Sequence, residues 1–98
     1  MRIDVTEIGR TFGRQTRAYA EYRIFASLAQ FSNVVRAAEV SLVPEARGRS
    51  VVCSVTVSVE TGAPVRVNAR GRHAYDAINR VADRLGRALR RHVHVVPS

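Results

Sequence analysis

Ninety-eight residues suffice for one small domain, and a hydrophobic content of 46% excludes a disordered basic tail. The net charge of +8 comes from sixteen basic residues, all arginine, against eight acids, and it favours a polyanionic partner. Cys53 stands alone, the opening MRIDVTEIGR lacks the apolar run of a signal peptide, and no stretch approaches membrane-spanning length. No intrachain disulfide and no membrane association are expected, and the expected location is the cytoplasm.

From Met1 to Ile8 the chain alternates, with Ile3 and Val5 on one side and Arg2, Asp4 and Thr6 on the other, which predicts a strand. Gly9 to Gly13 connects it to a helix that Thr16 is expected to cap, with Thr11 as the alternative. That helix runs through Phe31, and Ile24, Phe25, Leu28 and Phe31 recur at helical spacing. Val34 to Val43 alternates again, with Ala38, Val40 and Leu42 inward, and Pro44 to Ser50 is a polar turn. Val51, Cys53, Val55, Val57 and Val59 then alternate with small polar residues and Val52, the clearest strand in the chain, so Cys53 reads as a small buried thiol.

Thr61-Gly62-Ala63-Pro64 ends that strand, and Val65, Val67 and Ala69 form the last one. Gly71 leads into a long helix from about His73 to His92, followed by a short tail, Val93 to Ser98. The order predicts an α+β two-layer sandwich, β-α-β-β-β-α. Its four-stranded mixed sheet has the first two strands parallel across the helical crossover and the last three as an antiparallel meander. Both helices cover one face.

The charge is uneven. Residues 1–63 hold eight arginines and six acids, whereas residues 64–98 hold eight arginines and only two acids. In the last helix Arg80, Arg84, Arg87 and Arg91 follow one another at steps of four, three and four, which places them in one narrow stripe. Ala74, Ala77, Ile78, Val81, Leu85 and Leu89 fall on an adjacent arc that can pack. A merely solvated face is better served by mixed signs, so the stripe points to a polyanion, above all RNA.

Catalytic and metal signals are weak by comparison. Asp76 and Asp83 lie among arginines, where local ion pairing and the helix dipole account for them. His92 and His94 are two apart with no second cysteine nearby, so no metal site is expected. Gly71-Arg72-His73 precedes a helix but carries no glycine-rich phosphate motif. No enzyme activity and no cofactor are predicted. Tyr19, Tyr22 and Tyr75 read as packing residues with wet hydroxyls. Arg66, Asn68 and Arg70 face outward from the last strand without aromatics, against a base-stacking sheet of the RRM type.

The stretch from Ala69 to His92 resembles the ribosome hibernation-promoting factor family, also called ribosome-associated inhibitor proteins. Tyr75, Ala77, Ile78, Asp83, Leu85, Arg87 and Leu89 match the family pattern, and Arg84 and Arg91 stand where lysine is usual. Upstream, the aromatic-ended helix closing at Phe31-Ser32-Asn33 and the valine-rich strands around Thr56 and Gly62 also fit. His73 and Asn79 depart from the pattern, each replacing an acid, and the first helix reads about a turn short.

The resemblance implies a short-form factor, a single ribosome-binding domain over residues 1–98. Its partner is the small ribosomal subunit with its rRNA, and in ribosome dimers a further hibernation factor. Bound there, it excludes mRNA and tRNA and silences translation under stress or in stationary phase. The phosphate contacts are expected from Arg84, Arg87 and Arg91, then Arg80, with Arg90 and Arg23 weaker. Two other readings of the same residues are a double-stranded RNA-binding module and a protein-interaction regulator with an acidic partner.

Overall fold

Alternating apolar residues draw four segments into one sheet in the computed structural model, which describes residues 1–7, 12–45 and 50–93. The elements are β1 (Arg2–Glu7), α1 (Arg14–Leu28) with a 3-10 turn at Ala29–Phe31, β2 (Val35–Pro44), β3 (Val51–Val59), β4 (Val65–Gly71) and α2 (Ala74–Val93). The sheet order is β1-β2-β3-β4. β1 runs parallel to β2, with Ile3 opposite Ala38 and Val5 opposite Val40. β2, β3 and β4 form an antiparallel meander, and a register shift between Val35 and Ala37 marks a bulge at the start of β2. This is the expected α+β sandwich.

The core lies between the sheet and the helices. Ala38, Val40 and Leu42 of β2 and Val51, Cys53, Val55 and Val57 of β3 are buried. They meet Ala20, Ile24 and Leu28 of α1 and Ala77, Ile78, Val81, Leu85 and Leu89 of α2. Cys53 is fully buried and unpaired. Desolvation pushes its thiol pKa up to about 12.

Three local expectations need correction. Thr16 does not cap α1; Gly13 does, at φ 98°, and the helix already runs from Arg14. Thr16 is buried instead, because Thr16, Ala20, Ile24 and Leu28 step by four along the face turned to the sheet. The alternative cap, Thr11, lies outside the described residues, as do His94 and the rest of the tail. Phe25 is 53% exposed, since it follows Ile24 by about 100° and leaves that face. Tyr22, 66% exposed, does not pack either.

Tyr19 does pack. Its ring lies 4.8 Å from that of Tyr75, and its hydroxyl donates to Asn79 Oδ1 at 2.6 Å, tying α1 to α2. Ser27 Oγ donates to the Ala82 carbonyl at 3.2 Å across the same helix pair.

At the β4–α2 junction the backbones nearly touch. A Cβ on Gly71 would stand 2.3 Å from the Ala77 nitrogen, so only glycine fits there. That close approach sets α2 along β4 and positions the arginine stripe.

Candidate nucleic-acid interface

The apolar arc of α2 packs onto β3 and β4, which leaves the adjacent stripe of Arg80, Arg84, Arg87 and Arg91 beside the outer edge of the sheet. All four side chains are exposed. β4 is the outermost strand on this side, and its Arg66, Asn68 and Arg70 are exposed as well. The seam between helix and strand therefore has two basic banks.

Two grooves follow this seam. The first, about 690 Å³, begins at the start of α2 and is lined by Asn68, Arg70, Arg72, Asp76, Arg80 and Arg84. The second, about 440 Å³, continues toward the helix C-terminus between Arg66, Val67 and Asn68 on one side and Arg84, Arg87 and Arg91 on the other. A further depression of about 430 Å³ lies among Arg87, Arg90 and Arg91.

Hydrogen bonds fix the first groove. Asp76 Oδ2 accepts from the Arg72 backbone N–H at 3.0 Å, and its Oδ1 accepts from Arg80 Nε at 3.2 Å. Its own N–H donates to His73 Nδ1 at 3.3 Å, so the exposed His73 caps the helix. The Arg72 N–H, then Arg80 and His73, hold the Asp76 carboxyl below its ordinary pKa. Arg70 grips both oxygens of Glu45, with Nη2 to Oε2 at 3.0 Å, while Ser50 Oγ donates to the same carboxylate. Ser50 and then Arg70 lower the Glu45 pKa. Arg84 Nη1 donates to the Asn68 carbonyl at 2.7 Å, closing one group of the sheet edge.

The structure thus brings Arg80, Arg84, Arg87 and Arg91 into one line, with Arg90 at its end. It does not bring Arg23 there. Arg23, 27% exposed at its side chain, lies between the helices and donates Nε to Asn79 Oδ1 at 2.9 Å; its Nη2 stands 3.7 Å from Asp83 Oδ1. Arg23 faces α1's partner helix, and Asp83 pairs across the helices rather than along α2.

Arg66, Arg70 and Arg72 were missing from the sequence-derived set. The strand alternation put Arg66 and Arg70 on the outward face, but only the sheet order places them at the edge beside α2. Among the described residues no group of three His, Cys, Asp or Glu side chains could hold a metal ion. No helix among them is long and apolar enough to cross a membrane.

The arrangement can hold a chain of phosphates along a helix and a strand edge, since guanidinium groups bind phosphate oxygens bidentately. No curated protein matches the chain. Its structure is similar to that of a ribosomal subunit interface protein from Coxiella burnetii, with a TM-score of 0.85 at 13% identity, covering 96% of this chain and 99% of that one. It is also similar to the N-terminal domain of Protein Y from Thermus thermophilus, with a TM-score of 0.78 at 24% identity, covering 94% and 99%. At such identities these likenesses concern the fold. Residues 3–95 match the model of the sigma 54 modulation protein / S30EA ribosomal protein family. The chain belongs to that family of ribosome-associated, hibernation-promoting proteins.

Proposed function

We propose that this chain is a ribosome hibernation factor acting in the cytoplasm as one domain over residues 1–98. It sets the α2–β4 seam on phosphates of the small subunit's rRNA and fills space that mRNA and tRNA need, silencing translation under stress or in stationary phase. The observation that carries this reading is a seam with seven exposed arginines against two carboxylates, Asp76 and Glu45, in a chain of a ribosome-associated family.

Mechanistically, each guanidinium laid on a phosphate releases condensed counterions, which supplies affinity without reading sequence. The bound domain then excludes competing ligands by volume. Inhibition is stoichiometric, because occupancy of the subunit, and no turnover, does the work.

The test is a cell-free translation assay titrated with the protein, alongside sedimentation with purified ribosomal subunits. The protein should travel with the small subunit, and inhibition should saturate near one protein per ribosome. Preloaded mRNA and initiator tRNA should reduce its binding. Binding to isolated duplex RNA but not to subunits would favour the double-stranded RNA-binding reading instead. Inhibition at a small fraction of the ribosome concentration, with cleaved rRNA, would contradict a steric mechanism.

A further inference from the structure

Resting on the ribosome-binding reading, a finer assignment follows from which arginines of the seam already have partners. Arg80 is bound to Asp76, Arg70 to Glu45, and Arg84 gives one N–H to the Asn68 carbonyl. An incoming phosphate must compete with these groups. The two carboxylates also stay in place beside it and repel it.

The second groove differs. Arg66, Arg87 and Arg91 are all exposed and line it together. Among the described residues, none of the three has a carboxylate within 4.0 Å, as the ion pairs on this side involve only Arg70 and Arg80. They come from different elements, Arg66 from the outermost strand and Arg87 and Arg91 from successive turns of α2. Cations on opposite banks can approach one anion from two sides, which a single helical stripe cannot do.

We propose that Arg66, Arg87 and Arg91 form the principal phosphate grip, and that Arg70 and Arg80 mainly hold the first groove in shape. Arg66 is then an RNA-binding residue contributed by the sheet edge. The ligand is the sugar–phosphate backbone of RNA, because the groove offers guanidinium groups, Val67, Asn68 and Ala88 but no aromatic ring for stacking bases. An arginine without an internal partner binds phosphate without first breaking an ion pair, so its replacement is felt most.

The experiment compares Arg66→Gln, Arg66→Lys, Arg80→Gln and the double variant Arg87→Gln/Arg91→Gln with the wild-type chain over a range of salt. Two probes are used: purified small ribosomal subunits and a fluorescein-labelled RNA hairpin. Circular dichroism and thermal midpoints confirm that the exposed substitutions leave the fold intact. Arg66→Gln should weaken binding by about tenfold and shallow the plot of log affinity against log salt by roughly 0.7 to 0.9. Arg66→Lys should restore the slope with only part of the affinity, since lysine keeps the charge without the bidentate fork.

Arg80→Gln should weaken binding less than Arg66→Gln does, because part of the Arg80 charge is already offset by Asp76. If the wild type binds subunits and Arg66→Gln binds as tightly with the same slope, the assignment of Arg66 is wrong while the ribosome reading stands. An Arg80→Gln loss equal to that of Arg66→Gln would overturn the ranking. Should the wild type ignore subunits but bind the hairpin in the predicted order, the ribosome reading falls and the grip remains. Binding to neither probe overturns both.

Discussion

At the residue scale, two titrating groups make the core and the helix start testable separately. Cys53 sits fully buried between β3 and the helices, with its pKa raised to about 12 by desolvation alone. Its thiol should therefore react with a disulfide reagent at pH 8 far more slowly than the same residue in a peptide. Labelling at the peptide rate would place it outside the core. Because its folded pKa is raised, its contribution to stability is complete below the unfolded value of about 8.5 and is lost as the pH climbs through the folded one. Asp76 has the opposite sign. The Arg72 N–H and then Arg80 hold its pKa down, so its contribution is present above the ordinary carboxylate range and disappears as acid protonates it. Urea midpoints of Asp76→Asn should fall below those of wild type at pH 7, and the gap should close as the pH drops below about 4. A gap independent of pH would mean that the carboxylate's charge is not what matters.

At the element scale, the placement of α2 depends on the approach at Gly71. A methyl group there collides with backbone at Ala77, which no side-chain rotation relieves. Gly71→Ala should cost roughly 2–3 kcal/mol, read as a lowered urea midpoint, and should loosen α2 on β4. Stability equal to wild type would show that the strand and helix can separate freely. The same element shows what the sequence discloses. The apolar arc of α2 and the alternation of Val51, Cys53, Val55 and Val57 are periodic, and both took their expected places. The start of α1 was less legible, because Thr16 is a good cap by type yet lies on the buried stripe of Ala20, Ile24 and Leu28. Gly13, whose positive φ makes the actual start, carries no side chain to announce it. Arg23 misled for a related reason: its charge is visible in the sequence, but its engagement with Asn79 and Asp83, 56 and 60 residues away, is a tertiary fact.

At the scale of the whole molecule, the positive charge is organised by sheet order. β4 ends the meander, α2 lies over it, and two basic segments meet at one edge. One bank of that seam, the stripe of α2, can be read from residue spacing; the bank of Arg66, Arg70 and Arg72 depends on which strand is outermost. The neighbouring helix, α1, exposes Tyr22 and Phe25 along with Arg14 and Arg17, and the arginines gather most densely at the α2–β4 seam. The central claim is that this seam binds rRNA phosphates, and the most direct measurement is the salt dependence of binding to small ribosomal subunits by the triple variant Arg84→Gln/Arg87→Gln/Arg91→Gln. Glutamine keeps helix propensity nearly constant, so the variant should fold with stability changed by about 1 kcal/mol or less. Its affinity should fall steeply, and its slope of log affinity against log salt should be shallower than wild type by about two units. A folded triple variant with wild-type affinity and an unchanged slope would contradict the account.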